Sequence, residues 1–388
     1  MGRSLISKAS LLVLMILLVC LGAPTVNAQA VDWTSPTTDD LESIFMVDAN
    51  NGWAGGEWGT IIHWDGIDWS IVPSPTEVAT YTLNSVYMVG ADYGWAVSDY
   101  GHSTCWDGTE WSHFRINTNS ILTSVFMVDA NNGWAVTMSG GIFHWNGTTW
   151  SSVTSPTHNY LTSVFMLSAD NGWAVGTNGE AIILHWDGTE WSTVASPTWD
   201  TLYSVYMFSA DDGWAVGSVG TILHWDGTEW SEMTSPTMVS LKSVFMFNAD
   251  DGWAVGSVGT ILHWDGTEWS TVASPTTEHL NSIFMVGEDD GWAVGEGGII
   301  LQWNGNEWIS EETNGPEQTE PPEEPEEPEQ PVTPEEPEEQ EEPTEPDQPT
   351  TEESELGINV IFLIAVIVII IIIGVVSIYI LRKRKQTQ

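Results

Sequence analysis

The chain has 388 residues, with 54 Asp and Glu against 8 Lys and Arg, a formal net charge of −46, and only two cysteines. A field of that sign repels nucleic acid and anionic lipid headgroups, which excludes both as expected ligands. At 42% hydrophobic residues and 24 tryptophans the chain still has ample apolar surface for a large core.

Residues 1–28 read as a secretory signal, with basic Arg3 and Lys8, an apolar run from Leu11 to Leu21, and small-residue cleavage sites near Ala28 and Ala30. Cys20 lies in that run behind Val19, a poor lipoprotein box. The mature chain therefore keeps Cys105 alone, and no internal disulfide is expected.

Residues 31–310 repeat. A Gly-Trp pair recurs at Trp53, Trp95, Trp134, Trp173, Trp214, Trp253 and Trp292, with spacings of 42, 39, 39, 41, 39 and 39. The 22 residues "ADDGWAVGSVGTILHWDGTEWS" occur twice without change, from Ala210 and from Ala249. Three tryptophans per copy account for 21 of the 24. A period near 40 marks a repeat whose units finish one another's core.

Within the copy that starts at Leu202, "LYSVYMF", "WAVG", "TILHW" and "TEWSEMT" have the β-branched and aromatic content of short strands. "ADDG", "SVG", "DG" and "SPT" are the breaks between them, and Asp-Gly is a strong two-residue hairpin signal. Four antiparallel strands per copy make a propeller blade, and a parallel solenoid does not suit hairpin-linked strands. The fold class is thus all-β, a seven-bladed β-propeller. The stub "VDWTSPT" at Val31 to Thr37 resembles the tail of a fourth strand and is a candidate addition to the seventh blade.

Residues 311–356 change to Pro, Glu, Gln and Thr, with 20 acidic residues and no Lys or Arg. Such a composition cannot offset chain entropy and reads as a disordered acidic stalk, reaching about 140 Å at most as polyproline II. Residues 358–381 carry no charge over 24 positions. As a transmembrane helix they would be about 36 Å long, enough for a hydrocarbon core. The basic residues Arg382, Lys383, Arg384 and Lys385 follow at once, so residues 382–388 are expected to be a cytoplasmic tail and the propeller extracellular. The expected location is the cell membrane, as a single-pass protein.

"LHWDGTEW" looks like an Asp-box of the sialidase-type propellers, whose Asp-Gly-x-x-Trp closes the hairpin between third and fourth strands. The set "SVFM", "GWAVG", "GTILHW" and "DGTEW" is most similar to the propeller repeats of the photosystem II stability and assembly factor family. That resemblance covers about residues 41–310 and implies the propeller; for function it implies a scaffold assisting assembly of a membrane complex. Sialidase chemistry, in the Asp-box family, needs three arginines around a carboxylate. Residues 31–310 hold one, Arg115.

No enzymatic activity, cofactor or metal site is expected. The histidines before Trp64, Trp145, Trp186, Trp225 and Trp264 sit on equivalent strands of different blades, where Cys105 and Gln302 replace them, and read as structural. The methionines that end the "VFM"-like strands read as core packing. The acids that break the repeat pattern, Glu42, Glu57, Asp99, Glu180 and Glu296, are those a glycoside hydrolase would use, the weaker alternative.

Two faces follow from blade topology. The turn between strands one and two and the Asp-box hairpin share one face and hardly vary. The turn between strands two and three and the link to the next blade share the other, where the copies diverge and both length changes fall. Loops that vary on a rigid scaffold are where binding sites are built. The ligand-face candidates are accordingly Glu42, Trp58, Asn84, Tyr100, Thr123, Thr162, Trp199, Tyr203, Lys242 and Asn281. Asn146, in an Asn-Gly-Thr sequon, is a candidate for glycosylation. The expected function is a membrane-anchored binding or adhesion module for an extracellular protein or glycan.

Overall fold

The computed structural model describes residues 33–310; the leader, the stalk, the apolar run and the basic tail lie outside the described residues. Residues 33–310 form seven four-stranded sheets, each with its strands in sequence order. In the fifth blade these are Leu202–Ser209, Asp212–Gly217, Ile222–Trp225 and Trp230–Glu232, every pairing antiparallel. Each blade coincides with one sequence copy, the first starting at Leu41 and the last ending at Ser310. This is the seven-bladed propeller expected from the repeats.

The second strand of each blade is buried along nearly its whole length, because neighbouring blades cover both its faces. It carries an uninterrupted apolar run around its tryptophan in place of alternating. Met46 on the innermost strand pairs with Gly52 on the second. A Cβ at Gly52 would lie 2.2 Å from the Met46 sulfur, and the six equivalent glycines meet their own methionine at 2.2–2.3 Å. The methionine therefore dictates the glycine that precedes each tryptophan.

The three tryptophans per copy build the contact between blades. Trp53 packs against Trp106 at 4.8 Å and edge-on against Trp111 at 5.3 Å, both in the next blade. The same triad recurs through Trp95, Trp134, Trp173, Trp214 and Trp253. Trp292 completes the circle on Trp64 at 4.9 Å and Trp69 at 5.5 Å in the first blade. Large aromatic surfaces thus take the place of disulfides.

A second circle is polar. The backbone N–H of Val86 donates to Ser43 Oγ of the preceding blade at 3.0 Å, and Val125, Val164, Val205, Val244 and Ile283 do the same to Ser85, Ser124, Ser163, Ser204 and Ser243. Ile44 closes it on Ser282 at 3.2 Å.

The stub does not add a strand to the seventh blade. It takes the path that a link takes in the other blades: Ser35 Oγ donates to Thr37 O at 3.0 Å, as Ser235 Oγ does to Thr237 O at 3.1 Å. A Cβ on Gly298 would strike Thr37 O at 2.1 Å, as one on Gly220 would strike Thr237 O at 2.0 Å. Ser35 Oγ also reaches Gly298 O at 2.7 Å, and Trp33 is buried on Trp292. The last blade thus borrows the link that leads into the first.

Candidate functional site

On the axis, Phe45, Tyr87, Phe126, Phe165, Tyr206, Phe245 and Phe284 form an unbroken collar with centroids 4.5–5.0 Å apart. Burial pushes the Tyr206 hydroxyl up to about 12, and that of Tyr87 higher still. The sequence reading missed this collar, although an aromatic residue precedes every inner-strand methionine. On the hairpin side lies a vestibule of about 530 Å³, lined by Val47, Val89, Phe247 and five of the collar rings, all but Phe126 and Phe165.

On the link side the inner strands begin with one variable residue per blade, all half-buried: Glu42, Asn84, Thr123, Thr162, Tyr203, Lys242 and Asn281. Four of them join blades. Asn84 Nδ2 donates to Leu122 O at 2.9 Å, Thr123 Oγ1 to Leu161 O at 2.7 Å, Thr162 Oγ1 to Leu202 O at 2.7 Å and Asn281 Nδ2 to Leu41 O at 3.1 Å. The other three, on blades five, six and one, keep their functional groups for the channel mouth. The Lys242 ammonium lies 4.2 Å above the Tyr203 ring, a cation–π contact between adjacent blades. Burial raises the Glu42 carboxyl above its ordinary value, with repulsion from Asp40, Glu57 and Glu296 adding and Lys242 opposing.

Around this mouth stand the turns between second and third strands. Trp58, Tyr100, Val219 and Val258 occupy the left-handed region with φ of 53–56°, while the seventh blade has Gly297 at 66°. The residue after each is a glycine for a packing reason, because the link passes where its Cβ would be. No such reason holds for the residue before it. An L side chain there costs roughly 1–2 kcal/mol, and for a branched Val the conformation is an outlier. Yet Trp58, Tyr100, Val219 and Val258 are 51–64% exposed, so little packing offsets that cost. Trp199, in a link, is more exposed still at 71%.

The hairpin face is uniform for a structural reason. Asp226 Oδ1 accepts the backbone N–H of Thr228 at 2.8 Å and of Glu229 at 2.9 Å, and the Thr228 hydroxyl at 2.6 Å. Those bonds, the hydroxyl first, depress the carboxyl of Asp226, and likewise Asp187 and Asp265, to about 2. Asn146 and Asn304 accept the same pair of N–H groups in the third and seventh blades. Asn146 is exposed at its hairpin tip.

Each of the five repeat histidines pairs with the residue before the Gly-Trp pair, as His224 Nε2 does with Asp212 Oδ1 at 2.9 Å, and lies on the second-strand indole at 4.3–4.6 Å. The Cys105 thiol is buried, which pushes its pKa up to about 11. Among the described residues no group of three or more metal-ligating side chains comes together.

No protein-family model matches the chain, and no curated protein matches it in sequence. Among solved structures it is similar to YCF48 bound to D1 peptide, at a TM-score of 0.61 and 20% identity, covering 70% of this chain and 95% of that one. YCF48 from Cyanidioschyzon merolae gives 0.59 and 19%, over 69% and 97% of the two chains. The WD40 β-propeller domain of Doa1 gives 0.60 and 11%, over 69% and 94%. These likenesses bear on the fold. They support, at that level, the resemblance of the repeats to the photosystem II stability and assembly factors.

Proposed function

We propose that the chain is a non-catalytic binding module whose link face takes an extracellular protein or glycan, with residues 358–381 as membrane anchor and 311–356 as spacer. One observation carries the reading: four bulky side chains are held exposed in left-handed turns on a single face, where the seventh blade uses glycine. Unfavourable backbone conformations persist where function requires them. Trp58, Tyr100, Trp199 and the Tyr203–Lys242 pair offer aromatic surface and a cation to a ligand. The charge of the blades suits a neutral, cationic or singly charged partner better than a polyanion.

The test compares two variants in binding to whole cells and to a glycan and protein array. Replacing Trp58, Tyr100 and Tyr203 with Ala abolishes binding without unfolding the chain, each lost contact weakening it by about 1–3 kcal/mol. Replacing Asp226 and Asp265 with Asn on the hairpin face leaves affinity intact. Loss of binding only in the second variant moves the site to the vestibule side.

A second reading, a scaffold for assembly of a membrane complex, draws support from the likeness to YCF48, solved with a D1 peptide bound. It requires a peptide ligand, which the same array distinguishes from a glycan.

A further inference from the structure

Residues 33–310 contain 33 Asp and Glu, one Lys and one Arg. Among the described residues the one guanidinium, that of Arg115, has no carboxylate within ion-pairing distance. It ends the fourth strand of the second blade, Trp111–Arg115, exposed to solvent. Its Nη1 donates to His102 Nε2 at 2.6 Å. That bond places the His102 proton on Nδ1, which lies 3.1 Å from His113 Nε2 and donates to it. One donor of five on the guanidinium is used, leaving the fork able to grip a carboxylate, and the same tautomer leaves His113 with its proton on Nδ1. Burial, then Arg115 and His113, lower the His102 pKa against a small opposing effect of Glu77, which keeps it an acceptor for Arg115.

Two aromatic rings wall this group. Tyr81 stacks on His102 at 4.7 Å and 29°, and Tyr100 meets Tyr81 edge-on at 5.8 Å. Tyr100 is 51% exposed in its left-handed turn. Tyr81 belongs to the link made longest by three extra residues. That link is held by Val78, fully buried, and by a bond of 2.8 Å from Gly59 N to Tyr81 O. No other blade has this link, an Arg at this position or histidines on both its third and its fourth strand.

We infer that Arg115, His102 and His113, walled by Tyr81 and Tyr100, bind a single carboxylated sugar residue such as a terminal hexuronate. The guanidinium and imidazole take the carboxylate, and the tyrosine rings take the C–H face of the pyranose. The acidic blades exclude long polyanions, so the ligand carries its one charge at a chain end. The inference rests on the link face being the binding face, as proposed above.

Calorimetric titration of the full-length chain in detergent with methyl β-D-glucuronide is the test, with methyl β-D-glucoside and an acetylated acidic tripeptide as parallel probes. The glucuronide binds at least about tenfold more tightly than the glucoside, the least expected for a charge-assisted fork. Arg115→Gln removes that preference. Tyr100→Ala weakens binding of both sugars, and Asp226→Asn on the far face changes neither. Equal affinity for the two sugars, or unchanged glucuronide binding by Arg115→Gln, overturns the inference. Arg115-dependent binding of the peptide but not the glucuronide overturns it in favour of a protein ligand. If the glucuronide fails while the triple aromatic variant still loses its array partner, this inference falls and the binding face stands.

Discussion

The left-handed turn residues are where this chain departs from its own local optimum. Four blades place Trp, Tyr or Val where the seventh places Gly297, and the backbone angles hardly change between them. The turn geometry is therefore fixed by its surroundings, and the side chain must bear the cost. Val219→Gly and Val258→Gly should each raise stability by roughly 0.5–1 kcal/mol, the steric relief exceeding the added flexibility of the unfolded chain. Denaturant melts of the two variants check this. Lower stability in both would mean that the valines pack usefully, and the functional reading of the strain would lose its basis. In the sequence these positions show only as differences between copies; their left-handed conformation depends on a link from elsewhere passing the following glycine.

At the scale of the blade, the tryptophan contacts between neighbours rest on packing with little help from hydrogen bonds of their own. Twelve indole N–H groups, including those of Trp53, Trp134, Trp214 and Trp292, are buried without a hydrogen-bond partner among the described residues. Each third-strand indole by contrast donates to the turn between the first two strands, as Trp225 does to Ala210 O at 3.0 Å. The seventh interface repeats the other six in its indoles and its serine bond. Trp292→Ala should thus destabilise by about 3–5 kcal/mol, as much as Trp134→Ala within the ring. Equilibrium unfolding of both checks it, and a much smaller loss at Trp292 would mean an open seam. The same interfaces account for four of the seven inner-strand candidates. Asn84, Thr123, Thr162 and Asn281 vary in sequence, yet each bonds to the leading leucine of the next blade, leaving Glu42, Tyr203 and Lys242 at the mouth.

For the whole molecule, circular closure places the start of the propeller, Trp33 to Thr37, against its last blade. The start of the domain thus meets the blade that ends it at Ser310. With the propeller outside the cell, as proposed, protease added to intact cells should release it by cutting in 311–356, because the closed ring offers few open strand edges. Immunoblots for the propeller before and after lysis read the result. Protection until lysis would reverse the proposed orientation, leaving the propeller's binding chemistry untouched.

Period, strand content and turn residues determined the seven blades by sequence alone, because each copy carries its whole hydrogen-bonding pattern locally, and Asp-Gly and Gly-Trp recur with the strands they punctuate. The uniform hairpin face was legible for the same reason: the Asp226 bonds reach only two and three residues along the chain. What only the tertiary structure decided lies between copies. The aromatic collar, the tryptophan circle, the use of the stub as a link and the gathering of Arg115 with His102 and Tyr81 all join residues from different strands or blades. Distance along the chain says nothing about these contacts until the ring has closed.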